Sequence, residues 1–281
     1  MSVKIIIDST ADLTHEYSSK MGMVPLTVRF GDKEYVDRIE IDTKTFYEKL
    51  VESDVMPSTS QASISDFEKV FSRELEEGHD LVVLTISSKL SGTYHSACVA
   101  SEMAPDRIFV IDSNSVSIGL GVLAELAQNM VRDGLDAASI AERISAERDN
   151  VRLLAMFDTL EFLKRGGRIS ATAAFAGGVL ALKPVITLRD GEIVVLGKAR
   201  GSRQSNNFLI KEIENCGGIN FSKPLLLGYT GFDDAVLQKY IEDSRALWEG
   251  QTDSLDITSI GSVVGTHAGP GAIAIAFYVK D

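Results

Sequence analysis

Residues 80–86 have the sequence Asp-Leu-Val-Val-Leu-Thr-Ile, and the polar segment Ser-Ser-Lys-Leu-Ser-Gly-Thr follows them at residues 87–93. A strand in which polar and apolar residues do not alternate is buried on both faces, which is typical of a parallel sheet covered by helices. Two similar runs, residues 3–8 and 107–112, also lead into polar residues, and segments of helical periodicity separate the three runs. This repeated strand-loop-helix order predicts an N-terminal α/β domain built on a parallel sheet.

The second half of the chain has a different pattern. Two β-rich runs, residues 185–188 and 192–198, flank Arg189-Asp190-Gly191. Asp-Gly between such runs is a strong hairpin signal. Further helical segments and a closing strand at residues 272–279 do not repeat the order seen in the first half. We therefore predict a C-terminal α+β domain.

The boundary between the two domains is predicted from this change of pattern. We assign the apolar strand at residues 152–158 to the parallel sheet, so that residues 1–158 form the α/β domain and residues 159–281 form the α+β domain. Because no low-complexity linker separates them, we expect the two domains to pack together. Ligand sites favour such interfaces, so we also expect a ligand tunnel between the domains.

Composition and charge restrict the class of function. The chain has 281 residues, of which 44% are hydrophobic, 24% charged and 7% aromatic, as expected for a globular protein with an aliphatic core. Its formal net charge of −12 disfavours nucleic-acid binding and permits only transient contact with an anionic membrane. The sequence has no signal-peptide pattern and no apolar run that could span a bilayer, so we expect a cytoplasmic protein.

The spacing of cysteines and histidines indicates neither a metal site nor a redox centre. Cys98 and Cys216 lie far apart in sequence, and the four histidines do not have the spacing of metal ligands. The chain also has no Walker-type loop and no spaced glycine motif for a dinucleotide. We therefore predict that the protein uses no cofactor and no metal.

Hydroxyl-rich segments follow the predicted parallel strands. Residues 8–10, 87–93 and 112–115 are three such segments, and residues 57–61, Pro-Ser-Thr-Ser-Gln, are a fourth candidate. Because the carboxyl ends of parallel strands share one edge of a sheet, we expect these segments to converge there. Ser91-Gly92-Thr93 opens a helix and can receive an anionic oxygen, although simple helix capping is the alternative interpretation.

His267 is the best candidate among the histidines for a group in the site. It lies in the glycine-rich segment 265–271, which we expect to be a loop that approaches a ligand closely, although a structural role is the alternative. Ser91, His267 and Asp8 could form a catalytic triad, so a hydrolase or phosphotransferase remains an alternative function. No nucleophile-elbow signature supports that alternative. These residues indicate a site for a small anion with apolar surroundings and specify no reaction.

Taken together and in order, several segments resemble the DegV family, the acyl-binding subunits of bacterial fatty acid kinases. The resemblance extends from residue 3 to the end of the chain. Two positions depart from the family pattern, namely Ser58, where threonine is frequent, and Ala62, where proline is frequent. The matching segments are residues 7–10, 57–61, 87–94, 112–113, 160–170, 182–185 and 260–271.

The resemblance implies that a long-chain fatty acid lies buried between the two domains. Hydroxyls matching Thr59 and Ser91 would hold its carboxyl group, with His267 nearby. Because this set contains no direct cation, we expect binding to raise the pKa of the carboxyl group. The complete predicted carboxyl site is Thr59, Ser60, Ser91, Gly92, Thr93 and His267.

The tunnel for the acyl chain would have aliphatic and aromatic walls. Each methylene removed from water contributes ~0.8 kcal/mol, so a long chain can bind strongly by burial alone. Ordinary core packing is the alternative role for each wall candidate. Another amphipathic anion, such as a retinoid or a bile acid, would suit the same tunnel. The wall candidates are Phe157, Leu160, Ile169, Phe175 and Val179.

The resemblance also implies a protein partner. Proteins of this family present the bound carboxyl group to a separate ATP-binding kinase subunit, which converts it to an acyl phosphate. The chain itself would therefore bind lipid and catalyse no reaction alone. Arg168 and Arg200 match the residues that would lie on the face that docks the kinase.

Overall fold

The computed structural model describes residues 2–169 and 182–280. Two of the predicted tunnel residues, Phe175 and Val179, lie outside these ranges. Within them, no helix combines the length and the apolar character needed to cross a membrane.

The described residues form thirteen strands and eleven α-helices. The strands are β1 (Ser2–Asp8), β2 (Gly22–Val24), β3 (Thr27–Phe30), β4 (Lys33–Val36), β5 (Ser58–Ser60), β6 (His79–Thr85), β7 (Ile108–Asp112), β8 (Val151–Met156), β9 (Leu182–Arg189), β10 (Glu192–Arg200), β11 (Leu226–Tyr229), β12 (Asp256–Ser259) and β13 (Ile273–Tyr278). The helices are α1 (His15–Ser18), α2 (Thr43–Glu52), α3 (Ile64–Glu76), α4 (Thr93–Ser101), α5 (Ile118–Arg132), α6 (Ala137–Glu147), α7 (Glu161–Arg165), α8 (Gly201–Asn215), α9 (Ala235–Asp243), α10 (Arg245–Trp248) and α11 (Ser262–Ala268).

Four strands form a parallel sheet in the order β2-β1-β6-β7. Neighbouring residues of β6 face opposite sides of this sheet. Val82 belongs to the core that includes Ile140 of α6, whereas Val83 belongs to the core that includes Phe71 of α3. Burial on both faces explains why residues 80–86 carry no polar alternation. The predicted parallel sheet covered by helices is confirmed.

A second sheet has six strands in the order β10-β9-β8-β13-β11-β12. In this sheet β11 and β12 are parallel, and the other neighbouring pairs are antiparallel. This mixed sheet packs with α8 and α9, as the α+β pattern of the second half predicted. The predicted fold class, a parallel-sheet α/β part followed by an α+β part, is confirmed.

The position of β8 corrects one prediction. We assigned this strand to the parallel sheet, but Ala155 lies between Ile186 of β9 and Ala274 of β13 in the mixed sheet. Its residues alternate between two cores, so β8 is buried on both faces like a parallel strand. An apolar run therefore does not identify the sheet to which it belongs. The exact domain boundary near residue 158 stays a prediction.

The hairpin predicted from Asp190-Gly191 is confirmed. β9 and β10 pair antiparallel up to Arg189, which lies opposite Glu192. Asp190 has φ 50° and Gly191 has φ 79°, the two positive values that a type I′ turn requires. Ser87 Oγ donates to the carbonyl oxygen of Gly191 at 2.8 Å, so the turn contacts the loop that follows β6.

The segment at residues 57–61 contains a strand where we expected only a loop. Thr59 of β5 pairs with Val28 of β3 in a small antiparallel sheet of order β4-β3-β5. A three-residue strand of hydroxyl residues has no recognisable sequence pattern, and its pairing is decided by β3. The strand fixes the direction of the Thr59 side chain.

The glycine-rich segment 265–271, which we expected to be a loop, is helical up to Ala268 and non-helical only at residues 269–271. Residues Ser262–Ala268 form α11, although glycine and valine have low helix propensity. The helix packs closely against α2, because a Cβ atom on Gly265 would lie 2.7 Å from a ring carbon of Phe46. The helix ends at Gly269, whose φ of 70° favours glycine.

Candidate ligand-binding site

A cavity lies against one face of the mixed sheet. Its other walls are the loops after β1, β6 and β7, the strand β5 and the helix α11. Most of the lining is apolar and includes Leu153, Ala155, Phe157, Ile186, Leu188 and Ile273.

Polar side chains also line this cavity, and several of them contact one another. They come from segments that are distant in sequence, namely the loops after β1 and β6, the strand β5, the start of α5, the segment after α7 and the helix α11. Convergence of the segments that we expected at the sheet edge is thus observed for residues 8–10, 57–61 and 87–93. The polar lining residues are Thr10, Thr59, Ser60, Gln61, Ser91, Ser117, Arg168 and His267.

Thr59 and His267 form the central contact of the polar group. Oγ1 of Thr59 lies 2.9 Å from Nε2 of His267. Burial, reinforced by the positive charge of Arg168, lowers the pKa of His267 to about 4, so the ring is neutral near pH 7. A Cβ atom on Gly166 would lie 2.1 Å from Nδ1 of His267, so this glycine makes room for the ring.

Ser91 reaches the cavity from the loop that follows β6. Its Oγ lies 2.9 Å from Oγ1 of Thr93 and accepts from the backbone N–H of Thr93 at 3.3 Å. Thr93 is fully buried behind Ser91 and does not line the cavity. In this position it orients Ser91, and its predicted contact with the ligand stays a prediction.

Gly92 has a packing role in the same loop. A Cβ atom on Gly92 would lie 2.1 Å from Oε1 of Gln61, so the absence of a side chain allows Gln61 to approach. Gln61 lines the cavity and donates through Nε2 to Oγ of Ser96 at 2.9 Å. Of the six predicted carboxyl-site residues, the cavity is lined by Thr59, Ser60, Ser91 and His267.

Arg168 is part of the cavity lining, although we expected it on a docking face. Its Nη1 donates to the carbonyl oxygen of Gly166 at 2.7 Å, and its Nε donates to that of Leu90 at 3.2 Å. These two bonds hold a half-buried guanidinium group beside Ser91 and His267. Arg200, by contrast, is exposed at the end of β10.

The geometry does not assemble the catalytic triad that was the alternative interpretation. The Asp8 carboxylate accepts from the N–H and Oγ1 of Thr10, at 2.8 and 2.5 Å, and from the N–H of Ile86 at 2.6 Å. The contact of His267 is with Thr59, and that of Ser91 is with Thr93. Asp8 therefore organises the loops, and within residues 2–169 and 182–280 no catalytic base hydrogen-bonds to Ser91.

Among the described residues, three polar lining residues were missed as site candidates, namely Thr10, Gln61 and Ser117. Thr10 and Gln61 belong to the hydroxyl-rich segments, so their position in those segments was an available signal. Ser117 has φ 57° and donates through Oγ to the buried carboxylate of Asp12 at 2.6 Å. No local pattern indicated that Ser117 faces a cavity.

The predicted tunnel residues have different positions. Phe157 lines the cavity. Leu160 and Ile169 are buried in the adjacent core and are not part of the lining among the described residues. These two side chains pack in the hydrophobic interior, which was the alternative role.

The chain is similar to known proteins along its whole length. The DegV family of uncharacterised proteins matches residues 2–280. A DegV domain-containing protein from Caldanaerobacter subterraneus subsp. tengcongensis is 33% identical over 286 residues, and the match covers 99% of this chain and 99% of the relative.

Two solved structures have the same fold. A fatty-acid-binding DegV family protein from Thermus thermophilus matches with a TM-score of 0.88 and 31% identity, over 100% of both chains. The Streptococcus pneumoniae Fatty Acid Kinase (Fak) B3 protein, solved with linoleic acid, matches with a TM-score of 0.86 and 25% identity, also over 100% of both chains. The protein therefore belongs to the DegV family.

Proposed function

We propose that this protein binds a long-chain fatty acid in the cavity, with the carboxyl group at Thr59, Ser91 and His267. The observation that carries this proposal is a cavity whose lining is mainly apolar but includes a connected group of hydroxyl, imidazole and guanidinium side chains. The fatty acid binding of the Thermus thermophilus relative and the linoleic acid in the Streptococcus pneumoniae protein support it.

Burial of the acyl chain supplies the main binding energy in this proposal. Each methylene removed from water contributes ~0.8 kcal/mol, so a chain of roughly sixteen carbons offers on the order of 10 kcal/mol before ordering costs. The walls suit such a chain because Leu153, Phe157 and Ile186 present only carbon atoms. We therefore assign the tunnel predicted from sequence to this cavity.

The carboxyl group binds as a carboxylate in this proposal. From sequence we expected a raised carboxyl pKa, because the hydroxyl site had no direct cation. Arg168 lies in the lining, and its charge favours the ionised form of a neighbouring acid. Hydroxyls of Thr59 and Ser91 can donate to the carboxylate, as charge-assisted hydrogen bonds require.

We infer that the protein presents the bound carboxyl group to a separate ATP-binding kinase subunit and catalyses no reaction alone. The similarity to the Streptococcus pneumoniae fatty acid kinase protein supports this inference. Exposed Arg200 is the remaining candidate for the docking face, and Arg168 would act from the cavity side. Such a carrier would work in the cytoplasm, with transient access to membrane lipid.

Lipid extraction tests the proposed ligand directly. The protein is purified from a bacterial host and extracted with organic solvent, and the released lipids are identified by mass spectrometry. We expect close to one fatty acid per chain. Protein that releases no lipid and takes up no added fatty acid would contradict the proposal. Release of a different amphipathic anion, or ester hydrolysis by the isolated chain, would favour one of the two alternatives.

A further inference from the structure

Three side chains that commonly bind metals meet at the end of the parallel sheet opposite the cavity. Glu74 lies near the end of α3, Glu77 follows that helix, and His79 is the first residue of β6. One ligand atom from each residue lies within 4.8 Å of the other two. The cavity loop follows the far end of β6, about 20 Å away along the strand, so this cluster is separate from the proposed fatty acid site.

Glu74 is buried without complete hydrogen bonding. The residue is 3% exposed, and Arg73 Nη2 donates to its Oε1 at 2.6 Å. Its other oxygen, Oε2, has no hydrogen-bond partner among the described residues. A buried carboxylate oxygen without a donor is unfavourable, and a bound cation would supply the missing partner.

His79 is oriented as a metal ligand requires. Ser2 and His79 lie opposite each other in the adjacent strands β1 and β6, and Oγ of Ser2 lies 2.7 Å from Nδ1 of His79. When Nδ1–H donates to Ser2, the lone pair is on Nε2, which lies 3.7 Å from Oε2 of Glu77. Metal-binding histidines usually have such a partner on the second ring nitrogen.

We propose that Glu74, Glu77 and His79 form a binding site for a divalent transition-metal ion of the Zn²⁺ class. One imidazole and two carboxylates are suitable ligands for such an ion. Bonds of about 2.0–2.2 Å in a tetrahedral arrangement separate ligand atoms by about 3.4 Å, close to the observed distance between Glu77 and His79. The two carboxylates outweigh the single charge of Arg73, so the cluster attracts a cation.

The ion would connect secondary-structure elements at the end of the parallel sheet where β1 and β6 begin. Its ligands come from α3, the following turn and β6, and the Ser2 contact extends the link to β1. An ion that binds the folded protein but not the unfolded chain raises the stability of the folded protein by mass action. From sequence we predicted no metal site because we looked for histidine and cysteine spacing, and the pattern Glu-x-x-Glu-x-His does not match it.

Metal titration of the full-length, tag-free protein tests the site. After chelator treatment, Zn²⁺ is added in a calorimeter, and thermal unfolding is measured with and without the ion. We expect one Zn²⁺ per chain and a higher unfolding temperature. Glu77→Gln and His79→Gln should each weaken Zn²⁺ binding at least ten-fold and abolish the rise in unfolding temperature.

Glu76→Gln is the matched control, because this exposed neighbour undergoes the same change of charge but is not in the cluster. It should bind Zn²⁺ like the parent. The fatty acid content of all variants should equal that of the parent, which separates this proposal from the proposed lipid function. Absence of saturable Zn²⁺ binding by the parent, or equal affinity in Glu77→Gln and His79→Gln, would overturn the proposal.

Discussion

Arg168 and His267 set the charge of the polar part of the cavity. Two backbone carbonyl groups hold Arg168 in the wall, and its charge adds to burial in lowering the pKa of His267 to about 4. Among the described lining residues, Arg168 is therefore the one that carries positive charge at pH 7. The positive charge of Arg168 favours the ionised form of a bound carboxyl group, and the neutral ring of His267 can take part in its hydrogen bonding.

The hydroxyl groups of Ser91 and Thr59 should each contribute to ligand affinity. Replacing a partner in a buried hydrogen bond changes binding by about 1–2 kcal/mol, so Ser91→Ala and Thr59→Ala should weaken fatty acid affinity roughly five- to thirty-fold. Displacement of a fluorescent fatty acid would measure the change. Ser88→Ala is the control, because Ser88 is exposed in the same loop and does not line the cavity. Unchanged affinity in both site variants would mean that the carboxyl group binds elsewhere.

The neutral state of His267 should make stability depend on pH. Between about pH 4 and pH 6.5 the unfolded chain binds a proton at this ring that the folded protein does not bind. The free energy of unfolding should therefore fall as the pH falls through this window, by at most about 1.4 kcal/mol per pH unit. Buried acids titrate as well, so the comparison is between the parent and His267→Gln in urea titrations at several pH values. Parallel pH profiles for the two proteins would contradict a neutral buried ring.

At the level of secondary-structure elements, the β9–β10 hairpin contacts a loop that forms part of the cavity wall. Its Asp190-Gly191 turn packs against the loop after β6, where Ser87 donates to the carbonyl oxygen of Gly191. That loop continues to Ser91 in the cavity wall. The hairpin thus connects the mixed sheet to the carboxyl end of the parallel sheet at a point close to the proposed head-group site.

A side chain at Gly191 should disturb this contact. A Cβ atom there would lie 2.4 Å from Oγ of Ser87, and the φ of 79° is already unfavourable for alanine. Gly191→Ala should therefore destabilise the protein by about 2–4 kcal/mol in urea unfolding. Gly134→Ala separates the two effects, because Gly134 has φ 84° but nothing within 4 Å of its Cβ position. Equal losses in both variants would show that backbone strain alone is responsible.

For the whole molecule, the cavity links ligand binding to stability. It lies between the mixed sheet and the loops of the parallel sheet, so an acyl chain would fill space that neither sheet fills alone. A ligand that binds only the folded state stabilises it by mass action. The empty protein should therefore be less stable than the loaded protein, with the loss centred on contacts between the two sheets.

Delipidated protein should regain stability when fatty acid is added. At a free ligand concentration one hundred times the Kd, the gain is about 2.7 kcal/mol. Differential scanning calorimetry of extracted and reloaded protein would measure it as a rise in unfolding temperature. An alcohol of the same chain length is the control for the carboxyl group, and it should stabilise less because it lacks the charge that Arg168 complements. Equal stabilisation by the acid and the alcohol would contradict a specific head-group site.

Much of the fold could be predicted from local patterns. The unbroken apolar run at residues 80–86 indicates burial on both faces, and Asp190-Gly191 indicates a turn that needs two positive φ values. Both signals depend on neighbouring residues alone. The hydroxyl-rich segments after the strands were predictable in the same way, because they end buried strands at one edge of a sheet.

Other features depend on contacts between residues that are far apart in sequence. The apolar run of β8 is compatible with either sheet, and its pairing with β9 and β13 selects the mixed one. The α11 helix forms against the local propensity of its residues, and Gly265 allows it to pack closely against Phe46. Hydrogen bonds to backbone carbonyl groups, including that of Leu90, hold Arg168 in the cavity wall. His79 meets Ser2 of β1 only in the folded chain. Local sequence thus encodes periodicity and turn geometry, whereas the convergence of charges and the choice of strand partner follow from long-range packing.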